Sequence, residues 1–343
     1  MTHITRSLAD MDEPFVRYKI LLNVYGRAPD SREIHILRDE VRESTLARTL
    51  LAEQDASGRI PLLAFDRWRG THWVLYMLAD IGSAAGDKSL FALRDQAIDE
   101  LFASDRTEPV CGAIEGNALY YLHFLALDQG QTDELAARLI ESLPKNNGKS
   151  PAAFGQTLHA LRGLALHAQL RDEQAAHETA AQLAEHLLSH RLYQKSDGQP
   201  LSADCAALHY PCYEHCDLLF ALKVMHEAGH LADERCRDGL DLLKAKQFDN
   251  GTFPAERKHY RVGRIGKGND SLVDWGGSNK LYLNDGSGGF TDGTVAAGVG
   301  DAGNGRGVAF ADVDADGDLD LYVANWENQA NKLFLNDGSG GFT

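Results

Sequence analysis

The densest group of potential metal ligands in this sequence is a run of aspartates near the C-terminus, DVDADGDLD at residues 312–320. Carboxylates at alternate positions of a turn can point inward around one hard cation, and Gly317 permits the sharp bend that such a turn needs. An EF-hand would place glutamate at the twelfth loop position, which is Val323 here, so that motif is excluded. The run therefore predicts either a calcium loop of another type or a solvated acidic hairpin.

A second group of potential ligands combines thiols and an imidazole within a short segment after residue 204. Thiolate and imidazole are ligands that Zn²⁺ prefers. The candidate zinc ligands are Cys205, Cys212, His215 and Cys216. Their order, Cys-x6-Cys-x2-His-Cys, matches no standard zinc finger or ribbon. The alternative is that the cysteines pack as small buried hydrophobes and the histidines form hydrogen bonds in the core. Zinc remains possible, but we expect it to be absent.

Helices must position most of these residues, because apolar residues recur at helical spacing from residue 15 onward. The pattern repeats as a nearly wholly apolar helix, a short turn and an amphipathic helix. A helix that is apolar on all sides must be buried, while its one-sided partner faces water, so stacked pairs predict an inner and an outer ring. The predicted pairs are 73–81 with 87–103, 117–127 with 132–143, 157–170 with 172–191, and 217–228 with 233–246.

The composition changes at the segment Asp274-Trp275-Gly276-Gly277-Ser278. Residues 276–343 contain fifteen of the chain's 33 glycines, with ten acidic and three basic residues. Glycine costs about 1 kcal/mol relative to alanine inside a helix, whereas it suits tight turns between strands. We therefore predict a mainly α domain at residues 1–275, followed by a short β segment at residues 276–343.

The helical region resembles the α/α toroid of terpenoid cyclases and protein prenyltransferases over residues 15–275. The resemblance rests on Gly-x-x-Pro loops and on the segments WRGTHW at 68–73, LHYPCYEH at 208–215, DNGTFP at 249–254 and SLVDWGG at 271–277. It implies a squalene-cyclase-like toroid of helical hairpins. The DxDD acid of cyclases and the DDxxD diphosphate-binding run are both absent from this sequence. The prenyltransferase branch holds zinc with Asp, Cys and His.

In a toroid of this kind the starts of the inner helices open onto a central cavity. Aromatic side chains with a few polar groups there would suit an apolar ligand, although the same residues also suit a packed core. The candidate cavity residues are His72, Trp73, Glu115, Asn117, His209, Tyr210, Tyr213, His215 and Asp217.

Residues 279–291 recur as 331–343 with one change, Tyr282 to Phe334. These copies resemble FG-GAP or VCBS blades of integrin-type β-propellers. The resemblance implies a blade-type calcium loop with Asp312, Asp314, Asp316 and Asp320 as side-chain ligands and Asp318 as a backbone-carbonyl donor. A propeller takes about 4–8 blades, so other blades would be missing from this chain, and the joint at 274–278 suggests a fusion, a fragment or an artificial joining.

The formal net charge of −16 argues against a nucleic-acid partner, which needs clustered Lys and Arg. Residues 1–15 lack the apolar run of a secretory leader, and no segment predicts a membrane span. Five cysteines in no disulfide-dense pattern favour a reducing cytoplasm for the helical domain, whereas blades of the resembled type are usually extracellular.

Two functions stay open from the sequence. One is a protein without turnover that binds an apolar small molecule or acts as a scaffold, which the missing signatures favour. The other is an isoprenoid-processing enzyme, of cyclase or prenyltransferase type, that uses an unrecognised acid or zinc.

Overall fold

A computed structural model describes residues 8–66, 69–103, 112–146, 151–213, 215–248, 251–254, 256, 281–284, 290–294, 296–300, 305–325, 331–338 and 341–342. The chain divides into two compact units, Met1–Lys258 and His259–Thr343, here termed the helical unit and the C-terminal unit. The predicted boundary at 275/276 and the segment 274–278 lie outside the described residues, so that boundary stays a prediction.

The helical unit begins with three helices, α1 (Pro14–Asn23), α2 (Arg32–Arg42) and α3 (Thr45–Leu50). The predicted helical pairs follow in order. They are α4 (Thr71–Ile81) with α5 (Phe91–Leu101), α6 (Gly112–Phe124) with α7 (Gln131–Asn146), α8 (Pro151–Arg171) with α9 (Gln174–Ser189), and α10 (Leu218–Glu227) with α11 (Arg237–Ala245). Short 3-10 turns, Lys88–Leu90 and Glu234–Cys236, precede α5 and α11. The predicted mainly α class is confirmed.

Burial separates the two members of each pair. Every residue of α4 is buried, and α6 is buried from Gly112 to Leu122, whereas α9 buries one stripe that includes Ala176, Leu183 and Leu187. The first members pack on one another in succession, α4 on α6, α6 on α8 and α8 on α10, and each contacts its own partner. This is the layering that the apolar and amphipathic patterns predict, while closure into a ring stays a prediction.

Glycines allow α6 and α8 to pack unusually closely. A Cβ placed on Gly116 would lie 2.3 Å from the His159 carbonyl oxygen, and one on Gly163 would lie 2.3 Å from the Gly116 oxygen. No side chain fits into gaps of this size, so only glycine lets the two backbones approach each other. The close packing holds α8 directly against α6.

The C-terminal unit contains five strands among its described residues: β1 (Tyr282–Asn284), β2 (Phe290–Asp292), β3 (Gly305–Ala311), β4 (Asp320–Asn325) and β5 (Lys332–Phe334). Strands β1 and β2 form an antiparallel hairpin, and β3-β4-β5 form an antiparallel sheet. The repeated sequence adopts the same pairing in both copies, because Asn284 pairs with Phe290 and Asn336 pairs with Phe342. The predicted short β segment is confirmed.

One face of the sheet carries both buried and exposed apolar side chains. Leu321 and Val323 on β4 are buried in a small core, whereas Val308 and Phe310 on β3 are 64% and 53% exposed. The register pairs Val308 with Val323 and Phe310 with Leu321, so all four lie on the same face. That face is therefore covered at β4 and uncovered at β3.

Candidate functional site

A cavity of about 230 Å³ lies where the later turns of α6 and α8 meet the end of α10. Its wall is mostly apolar, with two charged side chains. The lining residues are Tyr120, Phe124, Arg162, Ala165, Leu166, Gln169, Glu227 and Ala228. Apolar walls with a few convergent polar groups are the usual character of a small-molecule site.

Arg162 is the central polar group of this cavity, and its side chain is only 1% exposed. Its Nε and Nη2 donate to the two carboxylate oxygens of Glu227, at 2.7 and 3.1 Å, and Nη2 also lies 3.3 Å from Asp80 Oδ1. The guanidinium carbon sits 3.5 Å from the centre of the Tyr120 ring. Its Nη1 has no hydrogen-bond partner among the described residues. Ion pairs with Glu227 and Asp80 thus fix the Arg162 guanidinium, while its Nη1 can still donate a hydrogen bond.

Asp80, on α4, is surrounded by hydrogen-bond donors from three other parts of the chain. Lys223 Nζ donates to it at 2.6 Å, the Tyr210 hydroxyl donates at 3.1 Å, and Lys19 Nζ lies 3.6 Å away. Burial alone would raise the pKa of Asp80, but Lys19, Lys223 and Arg162 together hold that pKa well below its usual range. Asp80 therefore stays ionised and organises the cations around it.

The sequence analysis missed this charge network. Asp80 and Arg162 are charged residues inside helices that are otherwise apolar, and such residues are seldom buried unless they are paired. That contrast was the signal that could have found them. Lys223 also lies in a mostly apolar helix and carried the same signal. Lys19 and Glu227 carried none, because single charges in amphipathic helices and at helix ends are common.

Of the predicted cavity residues, His72, Trp73, Glu115, Asn117, His209, Tyr213 and Asp217 are buried, His215 is partly buried and Tyr210 is 57% exposed. Trp73 packs edge-on against His72 and Tyr213, and the Asn117 amide donates to the Tyr213 carbonyl at 3.0 Å. None of the nine lines the cavity beside Arg162. Their packing is that of a core, and their role at a cavity of their own stays a prediction.

The structure groups the potential zinc ligands differently from the predicted set. His209, Cys212 and Asp217 are all buried, and each offers a ligand atom within 4.8 Å of the other two. The Asp217 carboxylate also accepts hydrogen bonds from the His209 and Phe220 backbone nitrogens, so it caps α10. Among the predicted ligands only Cys212 belongs to this cluster. Cys205 and Cys216 lie beside each other instead, with their sulfurs 2.6 Å apart.

In the C-terminal unit, Asp312, Asp314 and Asp320 each place a carboxylate oxygen within 4.8 Å of the other two. Asp316 and Asp318 are not part of this group. The Asp316 carboxylate accepts from the Asp318 nitrogen at 2.9 Å, and Asp312 accepts from the Gly317 nitrogen at 3.1 Å. Gly317 has φ +97°, which confirms the sharp bend expected there.

Asp320 connects this loop to the rest of the sheet. Asp320 is 1% exposed, and its two carboxylate oxygens accept hydrogen bonds from the backbone nitrogens of Val313 and Asn336, both at 2.8 Å. These hydrogen bonds lower the pKa of Asp320. Asn336 belongs to the second copy of the repeat, so the repeated sequence helps to hold the loop.

The profile of a family described as FG-GAP-like repeat matches residues 271–323. The match covers β1 to β3 and the aspartate loop, and it supports the resemblance stated for this part of the chain. No curated protein and no solved structure is significantly similar to the chain. In the described residues, no helix is both long and apolar enough to span a membrane.

Proposed function

We propose that this chain is a binding protein whose helical unit is an α/α toroid that holds an apolar small molecule, and whose C-terminal repeat binds calcium. The observation that carries the proposal is the cavity beside Arg162, where apolar walls meet a network of charges with the buried Asp80 and Arg162 at its centre. Strongly perturbed charged groups in a concave, mostly apolar site are typical of functional sites. The succession of packed inner helices, α4 to α6 to α8 to α10, supports the toroid.

Ligand binding is tested by titrating the full chain with 1-octanol in a calorimeter. Ala165→Phe places a bulky side chain in the cavity wall and should abolish the binding heat, because the volume of the site is lost. Ala181→Phe makes the same change at an exposed position of α9 and should bind like the wild type. Equal heats for both variants would place binding elsewhere, and no heat with the wild type would reject an apolar ligand of this kind.

Calcium binding is supported by the three clustered carboxylates. Asp312, Asp314 and Asp320 repel one another until a divalent cation neutralises them, and the pKa of Asp314 is raised by partial desolvation and by Asp316, Asp320 and Asp312. The expected dissociation constant is about 10⁻⁴–10⁻³ M, as in extracellular modules. Magnesium should substitute poorly, because it keeps its waters and demands a smaller octahedron.

Two variants with the same charge change test this site. Asp314→Asn removes a clustered carboxylate and should weaken calcium binding at least about tenfold. Asp318→Asn changes a side chain outside the cluster, so calorimetry should show nearly wild-type affinity. If the wild type binds no calcium, or if both variants lose affinity equally, the loop is an acidic turn without a specific site.

The C-terminal repeat also suggests further blades of the same type as its partners. Val308 and Phe310 leave the β3 side of the sheet uncovered, as expected for one blade of an array. Further blades would bury this face.

A second candidate function, an isoprenoid-processing enzyme with a zinc ion, is favoured by the His209, Cys212 and Asp217 cluster. Imidazole, thiolate and carboxylate are a suitable donor set for zinc. Zinc analysis of protein purified without added metal tests it, together with turnover of prenyl diphosphates. Cys212→Ser should remove the metal, whereas Cys236→Ser, at a buried thiol outside the cluster, should not. Wild-type protein that contains no zinc and turns over no prenyl diphosphate would contradict the enzyme function and leave ligand binding as the remaining candidate.

A further inference from the structure

We infer that the ligand of the cavity carries one anionic head group, such as a carboxylate, that pairs with Arg162. This inference rests on the proposed function and adds the chemistry of the ligand's polar end. It begins from the charges that meet at this place in the helical unit. Lys19, Arg162 and Lys223 face Asp80 and Glu227, so three cations meet two carboxylates.

This local excess of one positive charge contrasts with the formal net charge of the whole chain, which is −16. Among the described residues, the other elements at the cavity do not cancel it. Arg38 on α2 donates to the Ser83 and Phe124 carbonyl oxygens and so adds a further cation rather than a carboxylate. Burial raises the pKa of Tyr120, which therefore contributes a neutral hydroxyl. An uncompensated charge in a partly closed site is costly, because it loses hydration without gaining a partner. A bound anion would supply that partner.

The geometry of Arg162 indicates where the anion would bind. Its Nε and Nη2 are occupied by Glu227 and Asp80, and Nη1 has no hydrogen-bond partner among the described residues. Arg162 lines the cavity and is almost fully buried, so its remaining donors are held in place before a ligand arrives. Hydrogen bonds between ionised groups are shorter and stronger than neutral ones.

Lys19 points to the same conclusion. Partial burial lowers the pKa of its ammonium group, and Asp80 is the main opposing influence. Asp80 is already shared with Lys223 and Arg162, so it compensates each cation incompletely. An anion at Arg162 would compensate part of the charge of Arg162. The Asp80 carboxylate would then stabilise the charged form of Lys19 more fully.

The charge balance favours a monoanion over a multiply charged group. One negative charge neutralises the excess within the network of Asp80 and Glu227, whereas a diphosphate would bring further charges close to these two carboxylates, which would repel them. The rest of the ligand is apolar, because Tyr120, Phe124 and Leu166 form the wall beside Arg162. The ligand class is therefore an aliphatic or aromatic monocarboxylate.

The test compares octanoate with 1-octanol and octylamine by calorimetry on the full chain at pH 7. Octanoate should bind at least about tenfold more tightly than 1-octanol, since a charge-assisted hydrogen bond is stronger than a neutral one. Octylamine should bind more weakly than 1-octanol. If octanoate and 1-octanol bind equally, the inference is overturned and the proposed function stands. If neither binds, the apolar cavity function fails as well.

Variants locate the effect. Lys19→Met removes the excess charge without changing the cavity wall, so the preference for octanoate over 1-octanol should fall severalfold while 1-octanol affinity is kept. Lys88→Met, an exposed lysine outside the network, should keep the full preference. Arg162→Met should abolish the preference. An undiminished preference in Lys19→Met, in protein with wild-type circular dichroism, would show that the network's charge does not select the ligand.

Discussion

At the scale of single residues, the buried charges of the helical unit differ from those on its surface. The Asp80 side chain is 6% exposed and meets three cations, whereas Asp99 is 67% exposed and forms an ion pair with Arg59 at 3.4 Å. A buried charge that loses its partner cannot be rehydrated, while an exposed one is hydrated at once. The two aspartates should therefore respond very differently to the same substitution.

We predict that Asp80→Asn lowers the free energy of unfolding by about 3–5 kcal/mol, because it leaves Lys19, Lys223 and Arg162 without their shared carboxylate. Asp99→Asn should change it by less than about 1 kcal/mol. Urea denaturation followed by circular dichroism measures both. A loss of similar size in the two variants would mean that the Asp80 network does not stabilise the fold.

His159 makes stability depend on pH in a defined direction. Burial, together with the nearby Arg162, lowers the pKa of His159 from 6.5 to about 3, although the hydrogen bond from its Nε2 to the His215 carbonyl opposes the shift. The unfolded chain protonates His159 more readily than the folded chain does. The stability that comes from keeping this histidine neutral is therefore fully present above pH 6.5 and is lost as pH falls towards 3. The total loss is about 4–5 kcal/mol.

His159→Gln keeps a donor for the His215 carbonyl but cannot be protonated. Its free energy of unfolding should therefore fall less steeply than that of the wild type between pH 6.5 and 3, as measured by urea denaturation at several pH values. Parallel pH profiles for the two proteins would contradict a buried neutral histidine.

At the scale of elements, the contact between α6 and α8 determines where Arg162 lies. Gly112, Gly116 and Gly163 let the two backbones touch, and Arg162, which directly precedes Gly163, lies beside Tyr120, one turn after Gly116 on α6. The cavity thus begins next to this close glycine contact.

We predict that Gly116→Ala destabilises the protein by about 1–3 kcal/mol, because its Cβ would lie 2.3 Å from the His159 oxygen. Gly239→Ala on α11 is the matched control, since its nearest neighbours are side-chain atoms at 3.4–3.7 Å. That change should stabilise by up to about 1 kcal/mol, as is usual for alanine in a helix. Thermal unfolding compares them, and stabilisation by both would show that α6 and α8 do not pack this closely.

At the scale of the whole molecule, the chain consists of two compact units with cores of their own. The helical unit buries large side chains such as Trp73, Tyr121 and Leu75, while the C-terminal unit has a small core around Leu321 and Val323. Because the large core of the helical unit can support a fold by itself, this unit should not depend on the aspartate loop for its stability.

We predict that truncation after Trp275 leaves a helical protein with a cooperative thermal transition. Circular dichroism should retain the helical signal, with a midpoint within a few degrees of that of the full chain. Calcium should leave the transition of the truncated protein unchanged, because the aspartate loop is missing. Loss of cooperativity on truncation would show that residues after 275 complete the helical fold.

The sequence by itself determined the elements of this protein. Hydrophobic periodicity marks the paired helices and their buried faces, since neighbours three and four residues apart share one side of a helix, and the 279–291 and 331–343 copies predict paired strands around glycine turns. These are local properties, so they can be recognised without a fold. The predicted hairpins and the aspartate turn both follow from them.

Only the tertiary structure decided which side chains meet. Asp80, Arg162 and Lys223 lie on three different helices, and no spacing in the chain relates them. Likewise, the sequence grouped Cys205 and Cys216 with Cys212 as candidate zinc ligands. In the fold, His209 and Asp217 lie close to the Cys212 thiol instead. Contacts across a bundle depend on how the helices pack and where the backbones touch, and periodicity within one helix carries no information about either.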